Sequence, residues 1–196
     1  MQDFIMNVLE MLSSLGYLGI ALGLMIEIIP SEIVLGYGGY MISEETIGFA
    51  GAVIAGTIGG TIAQVFLYWL GMYGGRPFLE KYGKYLLINQ HHIDLSQEWF
   101  RKFGPGVIFS ARFIPVVRHA ISIPAGIARM SFIKFTLYTV AAIIPWTIFF
   151  LYLGMVLGEN WPQIKEFARP YIIPISAIAL IGGISYFLYS RKKKKA

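Results

Sequence analysis

Two arginines and two glutamates carry the chemistry this sequence can offer. Arg112 and Arg118 sit in GVIFSARFIPVVRHAISIPAGIARM, from Gly106 to Met130, a stretch otherwise apolar enough to enter a bilayer. An arginine at the centre of a membrane helix costs about 2.5 to 3.5 kcal/mol on the translocon scale, so it faces a cavity, a counter-ion or a ligand. Its planar fork binds phosphate oxygens in pairs. Pro115 lies between the two arginines, and Pro124 and Gly126 follow. Prolines remove backbone donors, and broken backbone at membrane depth is tolerated only inside protein or beside water. These residues predict a re-entrant hairpin lining a polar cavity. Glu27 and Glu32 bracket Pro30 and precede Gly36, Gly38 and Gly39, which predicts a second broken element. A carboxylate in a poorly hydrated cavity is pulled one way by desolvation and the other by nearby arginine, which suits it to proton exchange. One reading has Arg112 and Arg118 holding a phosphate group while Glu27 or Glu32 competes for them and carries a coupling proton. The other has the four residues as ion pairs locking the hairpins, since buried charges need partners whatever their function. His119 is a cavity hydrogen-bonder or a proton relay.

The elements around these residues belong to a membrane protein. The chain has 196 residues, 56% hydrophobic and 14% charged, too apolar for a soluble domain of this size. It has no cysteine, which excludes disulfides, thiolate metal sites and cysteine nucleophiles. The net charge of +5 comes largely from the tail, residues 191–196, and a basic cluster beyond an apolar segment predicts a cytoplasmic C-terminus. No cleavable signal peptide is expected, because Asp3 and Glu10 stand where a basic region would be. Residues 1–15 fit an amphipathic helix lying in the interface.

Ile47 to Met72 reads as a spanning helix. It contains Gly56-x-x-x-Gly60, overlaps Gly71-x-x-x-Gly75, and so predicts close helix packing. Gln64 is its one strongly polar side chain, bonded to a neighbouring helix or lining the cavity. Residues 74–105 form a basic, aromatic-bearing connector, which places it in the cytoplasm. His91-His92 within it point in different directions and lack a carboxylate framework, so no metal and no cofactor is expected. Phe132 to Leu157 is a second span, with Pro145 and Trp146 predicting a kink. Glu159 to Pro170 reads as a polar turn, and residues 171–190 as the last span.

The fold class expected is therefore an all-α polytopic membrane protein, one membrane domain over residues 1–196. Two oppositely oriented re-entrant hairpins plus spanning helices make an inverted repeat, residues 17–73 and 106–158. Counting sides from a cytoplasmic tail puts Glu44-Glu45 outside and the connector inside, and broken helices entering from opposite faces are a transporter signature.

These residues resemble the DedA family, the bacterial branch of the SNARE-associated Golgi or VTT-domain membrane proteins. The likeness runs from about residue 15 to residue 158. Its most specific piece is Phe109-Ser-Ala-Arg112-Phe113-Ile-Pro115-Val-Val-Arg118, continuing to Pro124-Ala125-Gly126 and Met130. Glu27 with Pro30-Ser31-Glu32 resembles the family's acidic hairpin. Tyr68, Gly71, Gly75-Arg76 and Tyr82-Gly83 resemble its glycine–tyrosine–arginine pattern, and Phe135 and Trp146 fit the motif after the second hairpin. The chain departs from the family in carrying Gln64 where many members have aspartate, and Thr139 and Ala142 where many have asparagine and glycine.

The resemblance implies lipid translocation in the cytoplasmic membrane. Undecaprenyl phosphate returning for carrier recycling is the first substrate it suggests, driven by the proton-motive force. Phosphatidylethanolamine or general phospholipid flipping or scrambling is the second. Arg112 and Arg118 would bind the lipid phosphate. Glu27 and Glu32 would be the cavity acids, with Gln64, Tyr68, Arg76, Pro30, Pro115, His119, Pro124, Gly126 and Trp146 lining or supporting the cavity. Partners would be membrane lipids and protons, with no nucleic acid, and a homo-oligomer is left open. Two other classes stand against this, a lipid-phosphate phosphatase and an assembly factor without transport. Ser110, Arg112 and His119 only faintly resemble the phosphatase motif, and the spacing is wrong.

Overall fold

The computed structural model describes residues 8–9, 11–75, 106–114 and 117–193, and every regular element among them is helical. Arg76 and Pro115 lie outside the described residues, as do residues 1–7, nearly all of the connector 74–105 with its two histidines, and residues 194–196. The helices are α1 (Tyr17–Ile26), α2 (Ser31–Ser43), α3 (Phe49–Trp69), α4 (Gly106–Ala111), α5 (Val117–Ala120), α6 (Ser122–Ile127), α7 (Phe132–Leu157) and α8 (Ile164–Lys193). A π-turn, Leu70–Gly75, extends α3, and a 3-10 turn, Gly158–Gln163, separates α7 from α8.

The break between α1 and α2 follows from its residues. Glu27 closes α1 in the left-handed region, at φ 53° and ψ 23°. Pro30 then sits extended at φ −52° and ψ 133° before α2 begins. Proline cannot donate to a preceding turn and pushes the residue before it out of helical geometry, so one continuous helix cannot form here. Glu32 falls in the first turn of α2, where the exposed N–H groups favour negative charge.

The chain divides into two compact units. The first comprises residues 1–63 and 143–172, the second 64–142 and 173–196, so both α3 and α7 contribute to each. In the first unit, small residues let backbones touch. An added Cβ on Gly39 would fall on the Leu151 carbonyl of α7, and one on Gly154 would fall on the Gly36 carbonyl of α2. Gly59 of α3 meets the backbone of Ala21 in α1 in the same way. Close approach of this kind is how helices associate where no hydrophobic driving force separates them from lipid. Gly56 contacts Thr147, Leu35 and Leu24, consistent with the packing expected of its motif, though Gly59 makes the tighter approach. Trp161 of the 3-10 turn meets Tyr37 edge-on at 5.1 Å. Trp146 is buried against Phe150, 5.0 Å between centroids, and α7 continues as helix through Pro145.

Among the described residues, two helical runs are long and apolar enough to cross a membrane, Phe49–Gly74 and Phe132–Gly182. The second contains the 3-10 turn, where Gly158 takes φ +52°. Ile54, Ile58, Ile62 and Phe66 are all exposed at a spacing of four along α3, an outward apolar stripe suited to lipid. The last helix corrects the sequence reading. The polar turn is only Gly158–Gln163, and α8 begins at Ile164. Trp161, Ile164 and Ala168 are buried while Lys165, Glu166 and Arg169 are exposed. That apolar face holds the helical period through residues whose charges and prolines look like a turn.

Candidate functional site

The second unit is built around Arg112. Its core is Tyr68, Ile108, Ala111, Ile121, Ala125 and Phe135. Gly126 of α6 lies so close to α3 that an added Cβ would fall on the Tyr68 carbonyl and 2.8 Å from the Met72 nitrogen. Gly71 in the π-turn stands in the same relation to the Ile123 carbonyl. The Tyr68 hydroxyl donates to the Met130 carbonyl beyond α6. Its ring stacks on Phe135 at 4.6 Å and 27°. Beyond α6, Arg129 adopts φ +51°, and the Met130 N–H donates back to the Ala125 carbonyl at 3.1 Å, which ends the short helix. On the other side, Ser176 of α8 donates to the Phe113 carbonyl at 2.9 Å.

Arg112 follows the last residue of α4 and is 5% exposed. Its Nη1 donates to Gln64 Oε1 at 2.5 Å and to the backbone carbonyl of Arg118. Its Nη2 donates to Ser122 Oγ and to Thr139 Oγ1, each at 3.0 Å. The guanidinium also lies 5.7 Å from the Phe135 ring centroid, within cation–π range. Ser122 Oγ donates to Gln64 Oε1 at 2.8 Å, and Gln64 Nε2 lies 3.1 Å from His119 Nδ1. Gln64, Ser122 and Thr139 are themselves buried. The described residues of this unit include no Asp or Glu, so these bonds to Arg112 end on neutral acceptors. A buried cation needs such acceptors, because desolvation without them costs far more than the fold can supply.

Several expected residues therefore meet. Gln64 bonds a residue of another helix, the first of the two roles open to it. Tyr68, His119, Pro124 and Gly126 lie in the same unit as both arginines. Arg118 and His119 are half-buried on the single turn α5. Glu27, exposed, Pro30, and half-buried Glu32 belong to the first unit, as does Trp146. Ser122 and Thr139 are the site residues the sequence reading did not assign a role. Thr139 is a polar side chain in an apolar span, and Ser122 lies ten residues past Arg112 in the broken stretch, weak signals that only the fold combines. Among the described residues, no group of three or more His, Cys, Asp or Glu could hold a metal ion.

Long apolar helices with a lipid-suited face, around a buried arginine held by polar side chains, define an α-helical membrane protein with a polar site among its helices. The chain belongs to the VTT-domain family, whose model matches residues 29–156. This agrees with the likeness read from the arginine-bearing stretch. It is 64% identical over 192 residues to undecaprenyl phosphate transporter A of Bacillus subtilis, covering 98% of this chain and 97% of that protein. It is 36% identical over 190 residues to an alkaline phosphatase-like protein of Lactococcus lactis, covering 92% and 87%. It is 28% identical over 196 residues to undecaprenyl phosphate transporter A of Staphylococcus aureus, covering 95% and 96%. No solved structure matches the chain.

Proposed function

We propose that this protein is a lipid translocase, not an enzyme, that moves undecaprenyl phosphate across the cytoplasmic membrane. The observation that carries the proposal is 64% identity along nearly the whole of an undecaprenyl phosphate transporter, coupled with a buried arginine on a broken helical stretch. Arg118, half-buried, receives the lipid phosphate, and Arg112 joins it by exchanging neutral acceptors for phosphate oxygens. Glu27 or Glu32 carries the coupling proton. The prenyl chain stays in lipid while the headgroup crosses.

We read α1–α2 and α4–α6 as two re-entrant hairpins of opposite orientation, with the C-terminus in the cytoplasm. Length supports this. At 1.5 Å per residue, α1 and α2, of 10 and 13 residues, reach only about half to two-thirds of a 30 Å hydrocarbon core, and α4, α5 and α6 are shorter still. Non-helical backbone at that depth needs protein or water around it, which a headgroup passage supplies.

The test is movement of labelled undecaprenyl phosphate in proteoliposomes, beside phosphatidylethanolamine, with and without a proton gradient. Free phosphate release is followed in the same vesicles, because a relative carries a phosphatase-like name. Wild type should move the phosphate lipid and release no phosphate. Arg112→Lys and Arg118→Lys, which keep charge but lose the fork, should slow it at least about tenfold. Full rates in both variants would sink the phosphate-fork assignment. Equal movement of both lipids would make the protein a general scramblase.

A further inference from the structure

We propose that Gln64 and His119 form a protonation-controlled latch on Arg112, so that a proton on His119, separate from the coupling proton of Glu27 or Glu32, readies Arg112 for a phosphate group. This rests on the translocase reading and deepens it by naming what frees the arginine.

Donor and acceptor roles fix the arrangement. A guanidinium N–H can only donate. The Gln64 atom facing Arg112 Nη1 at 2.5 Å is therefore its oxygen, and Ser122 Oγ donates to that oxygen as well. With the oxygen fixed, the amide nitrogen points at His119 Nδ1, 3.1 Å away. An amide nitrogen also only donates, so Nδ1 accepts, and His119 is the neutral tautomer with its hydrogen on Nε2. Protonation puts a hydrogen on Nδ1 and sets two donors against each other. Turning the Gln64 amide by half a rotation relieves that contact. Its oxygen then accepts from Nδ1–H, and its nitrogen faces Ser122 Oγ and Arg112. Toward Gln64, Ser122 changes from donor to acceptor, while it goes on accepting from Arg112 Nη2. Arg112 Nη1 loses its bond to Gln64 and meets a donor in its place. One Nη1 hydrogen is then available to a phosphate oxygen, while Nη2 keeps Ser122 and Thr139. Loss of the proton from Nδ1 reverses each step.

The charges nearby make the proton and the anion favour one another. The α3 helix presents Gln64 and has no charged residue, Arg112 follows α4, α5 carries Arg118 beside His119, α6 has none, and α7 has Lys134 alone. Arg129 precedes α7. An anion arriving beside an imidazolium favours it, and by linkage the anion binds better once the imidazolium forms. Glu27 and Glu32 belong to the first unit and enter the test as neutral variants. Gln64 and His119 are thus positioning residues that act through Arg112.

The experiment uses the full chain in lipid with 15N-labelled histidine, and His119→Gln assigns the signal. At neutral pH the His119 signal should be that of a bare Nδ1 and a protonated Nε2. Added undecaprenyl phosphate should raise its titration midpoint, and transport should increase as pH falls through it, by up to about tenfold per pH unit for one linked proton. In His119→Gln, whose side chain can accept from Gln64 but cannot be protonated, that pH step should vanish. In Gln64→Glu the carboxylate accepts from both neighbours, and the His119 midpoint should move up. An Nδ1-protonated tautomer at neutral pH overturns the latch. So does a pH step at the His119 midpoint that survives in His119→Gln, whereas a separate step lost in Glu27→Gln or Glu32→Gln is that of the coupling proton. If wild type moves no lipid, the translocase reading fails, and the tautomer measurement, which needs no lipid, still decides the latch.

Discussion

Thr139 and Glu27 are the residues whose local geometry makes the sharpest demands. Thr139 Oγ1 accepts from Arg112 Nη2 in a fully buried place. Thr139→Val keeps the shape and removes the acceptor, leaving part of a buried charge unsatisfied. Hydrogen bonds to charged groups are worth about 1.5 to 3 kcal/mol, and a loss of that order should appear as a lower melting temperature of the purified protein. An unchanged melting temperature would mean that Arg112 finds another acceptor. Glu27 holds a left-handed backbone that costs a non-glycine residue about 1 to 2 kcal/mol. Such strain persists where the surroundings over-determine it, often at working sites. Glu27→Gly should therefore be more stable than Glu27→Ala by about 1 kcal/mol, while both lose coupled transport. A glycine variant that is no more stable than the alanine one would remove strain from the account of this position.

At the scale of elements, backbone contact decides what can change. Gly126→Ala would drive a methyl onto the Tyr68 carbonyl, which cannot swing aside as a side chain can. Overpacking of this kind costs about 1 to 3 kcal/mol, and the melting temperature and transport of Gly126→Ala should both fall. Gly106→Ala, where an added Cβ meets nothing, is the matched control. The elements differ in how far the sequence disclosed them. The bounds Phe132 to Leu157 could be read directly, because an unbroken apolar run is legible without partners. The start of α8 could not, since Lys165, Glu166, Arg169 and Pro170 mask a helix whose buried face is set by tertiary contacts. The site was legible as residue types and not as a network. Arg112 announced itself by its cost in an apolar stretch, but its meeting with Gln64 spans 48 positions and depends on α3 packing against α6 through Gly71 and Gly126. Ser122 and Thr139 carry too little polarity to stand out until that packing brings them together.

For the whole molecule, orientation is the open physical question with a direct answer. The chain has no cysteine, so any introduced thiol is unique. Glu44, exposed at the end of α2, has an ordinary backbone at φ −82° and can be replaced without strain. Opposed hairpins and a cytoplasmic tail predict that Glu44→Cys reacts with an impermeant maleimide on intact cells. Lys193→Cys should react only after the membrane is opened. The reverse pattern would invert the protein and place its basic tail against the positive-inside tendency.

The two ends of the arginine-bearing stretch are held differently, one by close backbone approach and the other by polar side chains and a single helical turn. Near Met130 the chain is clasped by the Tyr68 hydroxyl and by Gly126 against the Tyr68 carbonyl. Near Arg118 the ties include the Arg112 side chain, the Gln64 amide at His119 and the helical turn itself, with Arg118 N–H bonded to the Ile114 carbonyl at 3.0 Å and Ile121 N–H to the Val117 carbonyl at 2.9 Å. A clock that counts amide openings should run at two speeds along it. Deuterium uptake, corrected for intrinsic rate, should quicken on acidification at residues 118–121 and hold steady at 125–130. The stretch would then open like a flap fastened along one edge, with its opposite edge carrying the charge.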